Sequence, residues 1–113
     1  MRRRRGKSKR IRTILFYLIN KSLRGLGMNL EILTPEKKLF SADVYGVQLP
    51  GVTGLFEVLN GHAPLVSALK VGKIKVLKDK NNHLAFFTIQ SGFVEVIHNT
   101  VTVLVEGAQP VEA

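Results

Sequence analysis

Short apolar stretches separated by polar or glycine-containing turns occupy the chain from Leu30 to Val105. Residues 73–76 (KIKV) alternate between lysine and a branched apolar residue, which is typical of a strand with Ile74 and Val76 facing a core. Further strands are predicted at 30–32, 39–40, 44–49, 55–59, 84–90, 93–97 and 101–105, with turns at 34–38, 79–83 and 98–100. Turn signals recur about every 8–12 residues, and no segment after residue 28 has helical periodicity beyond about three turns. The pattern predicts an all-β sandwich or barrel.

The predicted core is modest because only the 86 residues from 28 to 113 carry this pattern. Asn99 suits a tight turn, since asparagine tolerates positive φ. Residues 107–113 are expected to be too short to add a further element. Large aromatic side chains bury the most apolar surface, so five phenylalanines are expected to anchor the core: Phe40, Phe56, Phe86, Phe87 and Phe93.

Charge divides the chain into two parts. The 113 residues carry a formal charge of +9, from 17 Lys and Arg against 8 Asp and Glu. Residues 1–27 hold ten of the basic residues and no acidic one, which leaves residues 28–113 with a net charge of −1. The composition changes at 25–28 (GLGM), so we predict a basic extension (1–27), a β-domain (28–107) and a short tail (108–113). The extension is expected to be disordered or partly helical.

The basic extension has four interpretations. A block of like charge is typical of an arm that binds nucleic acid. Apolar residues at helical spacing beside Arg10 and Arg12 would suit an anionic membrane surface. An Arg-rich, acid-free segment also suits a removed targeting peptide, although it has few serines and no A-x-A site. Finally, translation could begin at Met28. The longest run of large apolar residues spans only the six residues 14–19, far below the roughly 20 of a membrane-spanning helix, so no integral membrane protein is expected.

Residue types that support catalysis are sparse. The chain has no cysteine, which excludes disulfides, thiolate metal sites and thiol catalysis. No serine lies in a G-x-S-x-G motif, and His62, His83 and His98 lack the spacing of metal ligands. The glycines at 51–54 (GVTG) and 72–73 (GK) lack the ending of a phosphate-binding loop and are interpreted as turn residues. We therefore predict no catalytic residue, no metal site and no cofactor.

Nucleic-acid binding by the β-domain is also disfavoured. Single-strand binding needs a basic groove with exposed aromatic residues, whereas this part of the chain is almost neutral and its aromatic residues lie in apolar stretches. Only the extension could supply such binding, and then without sequence preference.

The segment 60–65 (NGHAPL) is unusual because Pro64 stiffens the turn that contains His62. One interpretation is a histidine whose ring hydrogen-bonds the turn backbone. The other is a rigid exposed loop that presents a surface to a partner. Both remain open from the residues alone.

Motif order and spacing along residues 28–106 resemble the N-terminal domain of the epsilon subunit family of F-type ATP synthases, called delta in mitochondria. The similarity begins with NLEILTPE at 29–36 and LFS at 39–41. It is strongest at Gly54 and at GHAPL (61–65), and continues through LKVG at 69–72. It closes with SGFVEV at 91–96 and NTVTVL at 99–104. GHAPL is specific in this context, although it would be weak alone.

The resemblance implies a flattened antiparallel β-sandwich that serves as a non-catalytic rotor subunit in the central stalk. Such a subunit links the gamma subunit to the membrane-embedded c-ring, so that proton flow is coupled to ATP synthesis in the alpha and beta catalytic subunits. The implied location is peripheral, on the cytoplasmic face of the bacterial inner membrane, or on an organellar inner membrane if residues 1–27 are a transit peptide. The alternative function is a small β-domain whose basic arm binds nucleic acid non-specifically.

The resemblance also implies which residues of this chain contact the gamma subunit and the c-ring, position by position. Thr34 and Ser67 correspond to the gamma-facing side. Leu55 stands where many members have an acidic residue and Glu57 where they have glycine, while Leu59 and Asn60 replace a common Tyr-Pro pair. The implied c-ring contact comprises seven residues: Gly54, Leu55, Glu57, Gly61, His62, Ala63 and Pro64.

Family members commonly continue into a two-helix hairpin that binds ATP and inhibits hydrolysis when extended. The present sequence stops at Ala113, a few residues after the last predicted strand. The expectation is therefore that this chain does not inhibit ATP hydrolysis by inserting a helix.

Overall fold

The computed structural model describes residues 27–111, and within this range it contains ten β-strands and no helix. The prediction of an all-β fold is confirmed. Expectations for the extension before residue 27 lie outside the described residues. The strands are β1 (Met28–Leu33), β2 (Lys38–Val44), β3 (Gly46–Gly51), β4 (Gly54–Leu59), β5 (Leu65–Leu69), β6 (Gly72–Leu77), β7 (His83–Ile89), β8 (Ser91–Ile97), β9 (Thr100–Glu106) and β10 (Gln109–Val111).

All ten strands belong to one continuous sheet that folds back on itself. The order is β10-β7-β6-β3-β5-β8-β9-β1-β2, with β4 paired to β3 beside this path. Strand β3 forms the corner: Gly46 to Gln48 pair with β6, whereas Gly51 pairs with Leu69 of β5. The sheet thereby divides into a first layer (β10-β7-β6-β3-β4) and a second layer (β5-β8-β9-β1-β2), which form the predicted sandwich.

One apolar core lies between the layers and takes every second residue of each long strand. Ile74 and Val76 are fully buried, as the KIKV pattern predicts, and Lys73 beside them is exposed. In the second layer the inward side chains include Leu30 and Val103. The rings of Phe40 and Phe87 meet edge to face across the layers, 6.1 Å between centroids, and so join β2 to β7.

The prediction that five phenylalanines anchor the core is confirmed for three of them. Phe87 is buried, and Phe40 and Phe56 pack against the core. Phe86 is half-buried on the outer face, where Lys73 Nζ lies 4.8 Å from its ring centroid. Phe93 is 60% exposed, and its assignment to the core is wrong. The physical reason is register: Phe93 shares its face of β8 with Glu95, while Val94 and Val96 between them point inward.

Two features of the topology differ from expectation. The sheet contains one parallel pair, β1 with β9, in which Leu30 lies opposite Val101. Residues 109–111 form β10, antiparallel to β7, so the expectation that residues 107–113 add no element is wrong. Gly107, with φ of 65°, turns the chain after β9 and lets this short segment reach the free edge of β7.

The predicted polar loop between β6 and β7 is closed by Asp79. Its Oδ1 accepts hydrogen bonds from the backbone N–H groups of Asn81 at 2.8 Å and Asn82 at 2.9 Å. The side-chain amide of Asn82 donates to both carboxylate oxygens at 3.0 Å. These bonds, led by that of the Asn82 side chain, hold the pKa of Asp79 below its ordinary value because they favour the charged form.

A matched pair of substitutions tests which side chains of the second layer point into the core and which point outward. Leu30→Ala removes a side chain that is 0% exposed and should cost about 2–5 kcal/mol of unfolding free energy, through lost burial and a cavity. Leu104→Ala removes the same atoms at a position 53% exposed and should cost less than about 1 kcal/mol. Urea unfolding of both variants measures the difference, and equal losses would contradict the register described here.

Candidate binding surfaces

The residues expected at the c-ring lie on β4 and on the connection from β4 to β5. Strand β4 pairs with β3 alone, so its other edge is unpaired within residues 27–111. Leu55 and Glu57 point outward and are exposed, and Gln48 Nε2 donates to Glu57 Oε2 at 3.5 Å. Gly54 follows the two-residue turn of the β3–β4 hairpin with φ of 141°, which confirms the turn interpretation of residues 51–54.

The structure separates these seven residues into two groups. Gly54 and Leu55 begin β4 at the hairpin turn, whereas residues 61–64 follow its last residue, Leu59. A six-residue strand spans about 17 Å, so the two groups lie at opposite ends of the same edge. Glu57 lies between them.

The loop at 61–64 is held by backbone hydrogen bonds. His62 N–H donates to the Leu59 carbonyl at 3.1 Å, and Gly61 has φ of 84°. The His62 ring lies with Nδ1 2.8 Å from the Ala63 carbonyl oxygen, so the tautomer protonated on Nδ1 donates to the turn backbone. This confirms the interpretation of a ring bonded to its own turn. Ala63 and Pro64 are nevertheless exposed, so the loop also presents a surface.

Asn99 fixes this loop to the rest of the domain. Its side-chain Oδ1 accepts the Gly61 N–H at 2.8 Å, and its backbone carbonyl accepts the Asn29 N–H at 2.9 Å. Asn99 has φ of 60°, as the turn prediction requires. The residue thus joins the β8–β9 turn, the start of β1 and the GHAPL loop. Its long-range contact was not predicted, because nothing local in the sequence connects positions 61 and 99.

Thr34 and Ser67, expected on the gamma-facing side, have different surroundings. Thr34 Oγ1 accepts the Lys37 N–H and donates to the Lys37 carbonyl, both at 3.1 Å, and so closes the β1–β2 turn. Ser67 donates to the Ala68 carbonyl at 3.3 Å. Its register partner on β8 is the buried Val94, so Ser67 has the inward orientation. Thr34 instead lines a groove on the outer side, and the structure does not bring the two residues onto one face.

The groove beside Thr34 is apolar and was not predicted as a site. Register places Ala68, Phe93, Leu104 and Leu33 side by side across β5, β8, β9 and β1. We call the outer side of these strands the outer face of the second layer. Phe93 is 60% exposed and Leu104 53%, and the adjoining groove has a volume of about 450 Å³. The signal was present in the sequence, since Phe93 and Glu95 have the same parity on their strand.

The described residues offer no grouping of three metal-binding side chains, and none of their elements is a helix suited to crossing a membrane. The three histidines occupy different places. His62 lies in the GHAPL loop, His98 lies in the β8–β9 turn with φ of 49°, and His83 packs against the Phe86 ring at a tilt of 41°, with 4.3 Å between centroids. The most developed surface in this part of the chain is therefore apolar and suited to contact with another macromolecule.

Comparison with known proteins gives a consistent family. The model of the ATP synthase delta/epsilon chain β-sandwich domain matches residues 27–111. The ATP synthase epsilon chain of Protochlamydia amoebophila is 41% identical over 83 residues, which are 74% of this chain and 56% of that relative. The epsilon chain of Chlorobium limicola is 46% identical over 78 residues, 68% of this chain and 86% of that relative. The chain thus spans little more than half the length of some relatives and most of others.

Solved structures agree in fold. A chain of the Euglena gracilis mitochondrial ATP synthase, in a structure of OSCP, F1 and c-ring, aligns with a TM-score of 0.68 at 21% identity, covering 74% of this chain and 53% of that one. A chain of the Tetrahymena thermophila central stalk and c-ring aligns with a TM-score of 0.60 at 20% identity, covering 73% and 65%.

Paired variants of Asn99 test the anchoring of the GHAPL loop. Asn99→Gly retains access to positive φ but lacks the acceptor for the Gly61 N–H, so amide hydrogen exchange at Gly61 should become about three- to tenfold faster. Asn99→Asp keeps an acceptor and should leave that rate close to wild type. Exchange measured by NMR distinguishes them; an unchanged rate in the glycine variant would show that the contact does not hold the loop.

Proposed function

The chain belongs to the family of the ATP synthase delta/epsilon chain β-sandwich domain, and on this premise we propose that it is a non-catalytic rotor subunit of the central stalk. In this role it links the gamma subunit to the c-ring of a proton-translocating F-type ATP synthase. Ring and stalk then turn together, and proton flow is coupled to ATP synthesis in the alpha and beta subunits. The subunit is peripheral to the membrane, on the cytoplasmic face in a bacterium or on an organellar inner membrane.

The observation that carries this proposal is the apolar outer face of the second layer. Monomeric soluble proteins rarely expose contiguous apolar surface of this kind unless it binds a partner. Phe93 and Leu104 stand side by side there with little cover from residues 27–111. We assign this groove, together with Thr34 at its margin, to the gamma contact. Ser67 lies on the neighbouring strand β5 with the inward orientation. It would join the gamma contact if gamma extends around the edge of β5.

The c-ring contact is proposed for the β4 edge. Leu55 and Glu57 face outward along an unpaired strand edge, and Ala63 and Pro64 are exposed beyond its end. Leu55 replaces an acidic side chain common in the family, so this contact would be more apolar at the hairpin. Gly61 and His62 serve it by shaping the loop, since their backbone N–H groups are bonded within the domain.

A subunit that transmits torque must be stiff, and it need not catalyse a reaction. A sandwich with one shared core resists bending, and the Gly61–Asn99 bond ties the exposed loop to the β8–β9 turn. A load applied to the β4 edge would therefore reach the second layer through packed side chains and backbone hydrogen bonds. The proposal needs no catalytic residue, metal or cofactor from this chain.

Purification of the endogenous protein in mild detergent, followed by mass spectrometry of every chain, tests the assignment. Recovery together with gamma, alpha, beta and c subunits is expected. The same spectra give the mass of this chain and show whether it starts at Met1 or Met28. Recovery with nucleic acid and ribosomal proteins instead would overturn the assignment and favour the basic-arm function.

A charge placed in the groove tests the proposed gamma contact. Leu104→Glu should weaken binding to the purified gamma subunit at least about tenfold, because a buried unpaired carboxylate is costly at an interface. Leu84→Glu is the matched control, since Leu84 is 49% exposed on β7, in the other layer, against 53% for Leu104. Titration calorimetry measures both affinities, and equal effects of the two variants would remove the groove from the contact.

A further inference from the structure

The outer face of the second layer carries further exposed apolar side chains beyond the groove. Besides Phe93 and Leu104, the exposed side chains of Val66 and Ile97 lie on the same side of the sheet. Register places Val66 beside Glu95, one row from Phe93, and Ile97 beside Thr100, near the start of β1. The row between Phe93 and Ile97 is mainly polar, because Glu95 lies beside Thr102 and Glu31. The apolar strip is therefore the row that contains Phe93 and Leu104, and Val66 and Ile97 are separate apolar side chains beyond it.

The same face is acidic. Four carboxylates of the strands, Glu31, Asp43, Glu95 and Glu106, point to this side, against the single lysine Lys38, which forms a salt bridge with Glu31 at 3.3 Å. The outer side of the first layer is weakly basic, with Lys73 and Lys75 on β6 against Glu57 on β4. A partner for the second layer should therefore combine apolar and basic residues.

One segment of this chain has that composition. Residues 14–19 (ILFYLI) are six consecutive large apolar residues, and the residues around them carry ten basic side chains and no acidic one up to residue 27. We propose that the segment 11–19 packs on the outer face of the second layer in the free subunit. Its apolar residues would cover Phe93 and Leu104, and its flanking Arg and Lys side chains would lie near Glu95 and Glu106.

The length of chain before β1 permits this arrangement. Eight residues, 20–27, separate the apolar run from Met28, and eight extended residues reach about 26–29 Å. Along β1 the distance from Met28 to Leu33, which borders the groove, is about 17 Å. The apolar run can therefore reach the groove without disturbing β1, whose first residue is buried.

Covering the face by the chain's own extension would protect it until assembly. This consequence rests on the proposed gamma contact, because gamma would have to displace residues 11–19 from the groove. The packing itself does not depend on that assignment.

Disulfide trapping in the full 113-residue chain tests the packing directly, because the protein has no native cysteine. Ser91 borders the groove beyond Leu33 and Leu104, so Thr13, which precedes the apolar run, should come close to it. The test variant carries Thr13→Cys with Ser91→Cys. The control carries Thr13→Cys with Asn81→Cys, in the exposed β6–β7 loop. Dilute diamide oxidises the paired thiols, and non-reducing electrophoresis separates monomers with an internal disulfide from dimers.

The test variant should form its internal disulfide at least about tenfold faster than the control, because packing raises the local concentration of the two thiols. Adding Glu95→Lys and Glu106→Lys should slow this step several-fold, as should raising the salt to about 1 M. Equal rates of internal disulfide formation in the test and control variants would overturn the proposal. Disulfide-linked dimers as the main product would also overturn it, because they would show that a second copy of the chain occupies the groove. Neither result touches the rotor assignment, which is tested separately by recovery of the endogenous protein with gamma, alpha, beta and c subunits.

Discussion

Nine of the ten strands contribute side chains to one apolar core, and no other described cluster could hold the layers together. Each strand therefore commits alternate residues to that core, and the remaining residues are left on the two outer sides. The corner at β3 makes this possible, because a single strand pairs with β6 at one end and with β5 at the other. Gly51 is needed at that corner: a Cβ there would lie 2.8 Å from the Gly54 carbonyl oxygen and 2.9 Å from the Phe56 ring.

The alternation of apolar and polar residues along the strands made much of this fold predictable from the sequence. The strands around KIKV, the polar loop at Asp79 and the turn at Asn99 follow from local residue type and period. The aromatic character of Phe93 favours the core, whereas its parity with Glu95 places it on the outer face. β10 depends on a free edge supplied by β7, and the Gly61–Asn99 bond joins positions 38 residues apart, so neither has a local signature. The GHAPL loop could be identified as special, whereas what anchors it could not.

The two outer sides of the sandwich differ in a way that the summed composition conceals. The positive charge of the chain belongs to the extension, which holds ten basic residues and no acidic one. The described strands place mainly lysines on the outer side of one layer and mainly carboxylates around the apolar strip on the other. The proposed place in a central stalk would account for such a surface, since a stalk subunit is held between partners. The edge of β4 and the strip on the second layer lie on different parts of the domain, which suits contact with two partners at once.

The parallel pairing of β1 with β9 sets the order in which the domain can be completed. About seventy residues separate Leu30 from Val101, its partner across the sheet, so this pair closes the longest loop in the second layer. During synthesis β1 and β2 leave the ribosome first but have only each other to pair with until β9 emerges. Such non-local pairing slows folding and leaves an apolar strand edge open meanwhile. Folding of this domain during synthesis is therefore completed only once β9 has emerged, and the hairpin of β1 and β2 stays without its third strand until then.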